Sequence, residues 1–178
     1  MVFLANTKHS FQIYFLRHAI AAERGNPKYK DDSLRPLTGA GQRKMRLAAL
    51  GMKRLKLKFD TVISSPYVRA RQTAEIVTQI LPIKSKNIYF TKNLLPPASI
   101  KKLLKELRTL FPESESVLCV GHEPHLTEMI AELLGCTSPL AIDFKKGGLC
   151  CLILENAHAT FNWLLTPAQL VLMSKEKQ

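Results

Sequence analysis

Three short runs rich in β-branched and aromatic residues constrain the fold of this chain more than any other feature. They are Phe11 to Leu16 (FQIYFL), Asp60 to Ile63 (DTVI) and Val117 to Val120 (VLCV). Each has the length and composition of a buried strand. Between them the apolar pattern takes on a helical period. From Thr38, which can cap, Met45, Ala48, Ala49, Met52 and Leu55 recur at helical spacing. Pro66 opens a second helical segment whose apolar face carries Ala70, Ala74, Val77, Ile80 and Leu81. Asn87 to Phe90 reads as a further strand, and Ser99 as the cap of a helix carrying Leu103, Leu104, Leu107 and Leu110. Pro124 opens a helix that Gly135 closes. Leu149 to Leu154 and Phe161 to Leu165 read as a β-hairpin, and polar residues 19–37, with Gly25, Pro27 and Pro36, as a loop.

Strands that alternate with helices build a parallel sheet covered on both faces. The expected fold class is therefore α/β: a three-layer α/β/α sandwich with a mostly parallel central sheet. With 178 residues, 46% of them apolar, the chain can bury a full core as a single domain, and disorder is excluded. That domain is expected over 11–172, after an N-terminal extension (1–10) open to disorder and before a polar tail (173–178). No run of about 18 apolar residues suits a membrane span, and the first residues do not read as a secretory signal. Cys119, Cys136, Cys150 and Cys151 show no C-x-x-C pairing and read as reduced thiols of a cytoplasmic protein. Lys and Arg number 26 against 14 Asp and Glu, a net charge of +12. Such an excess calls for an anionic partner: nucleic acid, a membrane surface or phosphate.

In parallel sheets ligands bind at the carboxyl ends of strands. After FQIYFL comes Arg17-His18, after DTVI comes Ser64-Ser65-Pro66-Tyr67-Val68-Arg69-Ala70, and after VLCV comes Gly121-His122. A parallel topology brings all three to one edge. Two guanidinium groups match a phosphoryl group with bidentate donors. Neighbouring cations should lower the pKa of His18 and keep its imidazole neutral and nucleophilic. The charge of a phosphoryl-transfer transition state spreads over three equatorial oxygens, which positioned cations stabilise. The pattern thus suggests phosphoryl transfer through a covalent phosphohistidine, with no metal and no cofactor. Competing chemistries lack their signatures. No Cys is followed six positions later by Arg, and there is no G-x-S-x-G elbow, no P-loop and no zinc spacing among the five His.

These residues resemble the histidine phosphatase superfamily, which includes the cofactor-dependent phosphoglycerate mutases. The carrying segments are Leu16-Arg17-His18-Ala19, the eleven residues from Ser64 to Ala74 (SSPYVRARQTA), and Val120-Gly121-His122-Glu123-Pro124. Within the superfamily the chain is most similar to the short SixA-type phosphohistidine phosphatases, through Arg35 to Gly41 and Thr160-Phe161-Asn162-Trp163 with Thr166-Pro167. The resemblance implies a phosphoglycerate mutase-like fold. It also implies His18 as nucleophile, with Arg17, Arg69 and His122 holding the phosphoryl oxygens. Arg35, Ser65 and Glu123 are further substrate-binding candidates. Arg35 reads equally as a surface residue in a turn, and Glu123 more readily as a cap of the Pro124 helix. Arg71 is expected to be a solvated surface charge.

Two departures from the family pattern bear on the substrate. Members that cleave phosphate esters usually carry a general-acid carboxylate after the third strand, but Thr91 to Pro97 (TKNLLPP) holds no acid. An alkoxide leaving group relies on such a donor for roughly 10²–10⁴-fold in rate. Imidazole, whose conjugate acid has a pKa near ~6.5, needs far less help. The other acids within reach by sequence are Glu23, Asp31 and Asp32 in the loop after His18, and Glu123. The second departure is the short stretch between Leu81 and Val117, which has no room for the long covering insertion of the mutases. Both favour a phosphohistidine side chain presented by another protein, such as a histidine-phosphotransfer domain, with inorganic phosphate as product. The alternative within the superfamily is a general small-molecule phosphomonoesterase. The rival from another class is a basic nucleic-acid-binding protein built on Lys44, Arg46, Lys53, Arg54, Lys101, Lys102 and Lys105. Those charges fall on the polar faces of amphipathic helices, and no nucleic-acid-binding signature accompanies them.

Overall fold

The structure, a computed structural model, describes residues 10–84, 87–155 and 158–175. The segment expected as an N-terminal extension therefore lies almost wholly outside the described residues, as does the end of the expected tail. Six strands form one sheet: β1 (Phe11–Arg17), β2 (Thr61–Ser64), β3 (Ile88–Phe90), β4 (Ser116–Gly121), β5 (Leu149–Glu155) and β6 (His158–Leu165). Their order is β3-β2-β4-β1-β5-β6. The first four are parallel; β5 runs antiparallel to β1, and β6 to β5. Five α-helices, α1 (Gly39–Arg54), α2 (Val68–Ile80), α3 (Ile100–Leu110), α4 (His125–Leu133) and α5 (Pro167–Met173), accompany it among the described residues. None is long and apolar enough to cross a membrane.

β1 shows why its sequence is apolar without alternation. Tyr14 and Leu16 pack on one face with Met45 and Ala48 of α1, Ala74 of α2 and Leu170 of α5. Ile13 and Phe15 pack on the other with Leu103 and Leu107 of α3 and Met129 and Ile130 of α4. A strand covered on both sides buries successive residues in opposite directions. The expected three-layer α/β/α sandwich is what forms. Between β3 and β4 the chain has room only for a 3-10 turn (Lys92–Leu94) and α3.

Thr38 caps α1 as expected, accepting the N–H of Gly41 at 3.0 Å. Ser99 stands at the cap position of α3 but makes no capping bond. The carboxylate of Glu132, on α4, accepts the Ile100 N–H at 3.3 Å. α5 was not apparent from apolar periodicity, because it is only seven residues long. Its signal is local: Thr166 and Gln169 form a capping box, with Pro167 at the first helical position.

The strand order places the site. From β1 the chain crosses through α1 to β2, on one side of the β1–β4 pair; from β4 it crosses through α4 to β5, on the other side. Connections that diverge from adjacent parallel strands leave a crevice at their carboxyl ends.

Candidate active site

Backbone bonds lock the three strand ends together. Arg17 is paired with Gly121, and the His18 N–H donates to Gly121 O at 3.0 Å. Ser65 N donates to Val120 O at 2.9 Å. The imidazoles of His18 and His122 consequently stand with ring centroids 5.1 Å apart. His18, Arg69, His122, Ser65 and Arg35 are buried, and Arg17 is half-buried.

His18 Nδ1 lies 2.7 Å from its neighbour's carbonyl, Ala19 O. A carbonyl can only accept, so Nδ1 carries the proton and the lone pair belongs to Nε2. Burial lowers the pKa of His18 to about 3; the Ala19 carbonyl opposes this, and Arg69, Arg17 and Lys146 reinforce it. The expected neutrality therefore holds, but desolvation contributes more to it than the cations do. Burial likewise brings His122 to about 2, with His18 and Arg69 adding to the effect. Its Nε2 lies 2.7 Å from Ser65 Oγ.

Arg69 sits in the first turn of α2, its guanidinium 4.9 Å from the centroid of the Tyr67 ring. Its Nη1 donates to Asp32 O at 2.7 Å, and its Nη2 pairs with the Asp32 carboxylate at 3.0 Å. Arg35 Nε donates to the other oxygen of that carboxylate at 2.8 Å, and its Nη1 bonds Ala22 O. Arg35 is only 8% exposed, so it is not a surface residue in a turn. It backs Asp32, which in turn holds Arg69. Partial burial works against ionisation of Asp32, but Arg35 and Arg69 outweigh it and keep the carboxyl below its usual range. Asp32 is thus an anion rather than a proton donor.

The other acids are occupied or outlying. Asp31 accepts the N–H of Ser33, and Glu23 is exposed. Glu123 accepts from both the N–H and the hydroxyl of Thr127, at 3.1 and 2.7 Å, and so caps α4. Arg71 is exposed and pairs with Glu75, as expected of a surface charge. Sequence reasoning missed the structural use of Gln72 and Thr73. Gln72 accepts the N–H of Leu37, while Thr73 Oγ1 accepts the N–H of Ala19 and donates to Arg69 O. Both tie the loop after His18 to α2.

Four buried side-chain nitrogens among the described residues have no hydrogen-bond partner: Arg17 Nε, Arg69 Nε, His122 Nδ1 and His125 Nε2. Three of them belong to the cluster around His18. An unsatisfied buried donor costs about 1–3 kcal/mol, so such a concentration marks a place built for an acceptor-rich ligand. A tetrahedral oxyanion supplies those acceptors. No three His, Cys, Asp or Glu side chains among the described residues lie close enough together to hold a metal ion.

Comparison with known proteins agrees with this geometry. The family model of the histidine phosphatase superfamily (branch 1) matches residues 13–88. The phosphohistidine phosphatase SixA of Escherichia coli (strain K12) is 33% identical over 162 residues, which is 89% of this chain and 96% of that protein. An uncharacterized protein of Picosynechococcus sp. is 34% identical over 140 residues, 78% of this chain and 82% of its own length. The solved structure of the protein histidine phosphatase SixA complexed with tungstate superposes with a TM-score of 0.77 at 30% identity, covering 90% of this chain and 99% of that one. With the three strand ends assembled as described and similarity running along nearly the whole chain, the protein belongs to the histidine phosphatase superfamily.

Proposed function

We propose that this protein is a phosphohistidine phosphatase acting on a phosphohistidine-bearing signalling or phosphotransfer protein, with His18 as the transient carrier. The observation that carries this reading is the set of partnerless buried nitrogens, Arg17 Nε, Arg69 Nε and His122 Nδ1, around a neutral imidazole. In the first step the Nε2 lone pair of His18 attacks phosphorus. The P–N bond to the substrate imidazole breaks, and its electron pair returns to the leaving nitrogen, which takes a proton from solvent. In the second step water attacks the phosphoryl group on His18 and loses a proton. The P–Nε2 bond breaks, and inorganic phosphate leaves with His18 regenerated. Arg17, Arg69 and His122 hold the equatorial oxygens in both steps.

The P–N substrate class is supported by the acids. Residues 91–97 contain none, Asp32 is held ionised by two guanidinium groups, and Glu123 is bonded to Thr127. The similarity to the SixA phosphohistidine phosphatase of E. coli supports the same class. The short β3–β4 connection leaves the crevice accessible to a side chain on a macromolecule. Four free cysteines, three of them buried, suit a reducing cytoplasm.

Incubation with a phosphorylated histidine-phosphotransfer domain tests the proposal. Acid-labile, base-stable phosphate should appear on His18, and His18→Ala should neither acquire it nor dephosphorylate the donor. Dephosphorylation by the variant would overturn the mechanism. Faster turnover of p-nitrophenyl phosphate than of the phosphorylated domain would overturn the substrate class.

A further inference from the structure

We infer that the groove between α1 and α5 is a docking track for an acidic, partly apolar surface of the phosphohistidine-bearing protein, an inference that rests on the function proposed above. α1 contributes Arg43, Lys44 and Leu47 to this groove, α5 contributes Val171 and Leu172, and Lys175 lines it just past the end of α5. Ala40 and Ala168 stand three residues before Arg43 and Val171, so α1 lines the groove at positions i, i+3, i+4 and i+7 and α5 at i, i+3 and i+4, a single face of each helix. The two faces match: small residues at one end, branched apolar side chains within, cations along the rim. Leu47 and Leu172 remain 43% and 64% exposed.

The groove, ≈ 560 Å³, shares Lys44 and Ala168 with a second one of ≈ 590 Å³. Ile20, Lys146 and Arg17 line that continuation, and Arg17 belongs to the candidate active site. Lys146 is close enough to act on the charge of His18. The track therefore leads from the α1–α5 face to the nucleophile. Its lining holds one acid, Asp143, which pairs with Lys145 at 2.6 Å. Among the described residues, Lys44, Lys146 and Lys175 form no ion pair with any acid. A continuous positive field over an apolar floor fits carboxylates interleaved with apolar side chains. A nucleic-acid strand would instead call for aromatic stacking platforms, and neither groove is lined by an aromatic residue. Rim cations of this kind act chiefly on the rate of encounter, and their effect is screened by salt.

The test compares wild type with Arg43→Glu/Lys175→Glu and with Leu172→Asp. The substrates are an acidic phosphorylated histidine-phosphotransfer domain and phosphoramidate, the latter too small to reach the track. Expected is a fall of roughly tenfold or more in kcat/KM for the domain, carried by KM, with a flattened dependence on NaCl in the charge variant. Phosphoramidate turnover and tungstate affinity should stay within about twofold, which also reports that the variants are folded. Undiminished turnover of the phosphorylated domain overturns the docking track alone, and so does an equal loss on both substrates. A wild type that turns over phosphoramidate but not the phosphorylated domain overturns the proposed substrate and the track with it. Variant-sensitive binding of RNA, or of a second copy of the chain, with turnover of the domain unchanged, gives the groove to that occupant and overturns the proposal.

Discussion

Ser65 Oγ lies 2.7 Å from His122 Nε2 and also accepts the backbone N–H of Tyr67 at 3.3 Å. An oxygen that accepts from Tyr67 keeps its own proton and a second lone pair; a phosphoryl oxygen at Nδ1 calls for the tautomer in which Ser65 donates and Nε2 of His122 accepts. The ring proton then sits on Nδ1, the buried atom without a partner. Ser65 thus acts through His122, fixing the tautomer that presents a donor to a phosphoryl oxygen. Ser65→Ala is expected to lower kcat about 10- to 100-fold with a smaller change in KM, as for loss of a transition-state donor. The imidazole tautomer, read from ¹⁵N shifts of His122, should become mixed. Unchanged ¹⁵N shifts beside a lower kcat would contradict the tautomer argument.

His18 and His122 titrate at about 3 and about 2, against 6.5 in an unfolded chain. Below pH 6.5 the unfolded chain binds protons at these positions that the folded chain does not. Their burial therefore leaves stability complete above about pH 6.5 and erodes it as pH falls toward 3. The expected slope reaches about 1.4 kcal/mol per pH unit for each such histidine. Urea midpoints measured from pH 8 to pH 4.5 should fall on the acid side. NMR signals of both rings should keep neutral-imidazole shifts down to pH 5. Titration of either ring near 6.5 would contradict the proposed burial effect.

Asp32 takes Nη1 of Arg69 with its carbonyl and Nη2 with its carboxylate, which leaves Nε as the donor without a partner. Arg35 holds the far side of the same carboxylate. Asp32→Ala is expected to weaken tungstate binding about tenfold, because Arg69 loses the anion that orients it. Arg35→Met should do the same at a remove and also destabilise the fold by about 1–3 kcal/mol, since Asp32 and Ala22 O lose a buried donor. Calorimetric titration with tungstate checks both. Tighter tungstate binding by Asp32→Ala would instead make Asp32 a competitor for Arg69.

The residues that form the site were legible in the sequence because each follows a buried strand, where topology leaves little freedom. Arg17-His18, Ser65 and His122 needed only the parallel arrangement that the intervening helices demand. Asp32 was not legible as a partner of Arg69. It lies in a loop with Glu23 and Asp31, and nothing local says which carboxylate folds back on α2. Arg35 was ambiguous for the same reason, since its burial is set by tertiary packing rather than by its neighbours in sequence. Ser99 occupies the cap position without a capping bond, and the Ile100 N–H is taken by Glu132 of α4, a tertiary contact that no local pattern announces; α5 escaped notice because a two-turn helix carries too few apolar positions to show a period.

Gly51 determines how closely α5 can lie on α1. A Cβ at this position would collide with the backbone carbonyl of Leu170, which cannot move without displacing α5. Helix propensity alone would favour Gly51→Ala by about 1 kcal/mol. The collision is with backbone rather than with the end of a flexible side chain, so overpacking should win, with a net destabilisation of about 1–3 kcal/mol. Gly39→Ala is the control within the same helix. A Cβ there would meet only Arg43 Nη1 at 3.5 Å, an ordinary contact with a mobile group. It should be neutral or stabilising by about 0.4–1 kcal/mol, through the entropy of the unfolded chain. Urea denaturation of both variants decides the point. Equal stabilisation by both would mean that α5 can shift away from α1 at little cost, and the groove between these helices would then have no fixed width.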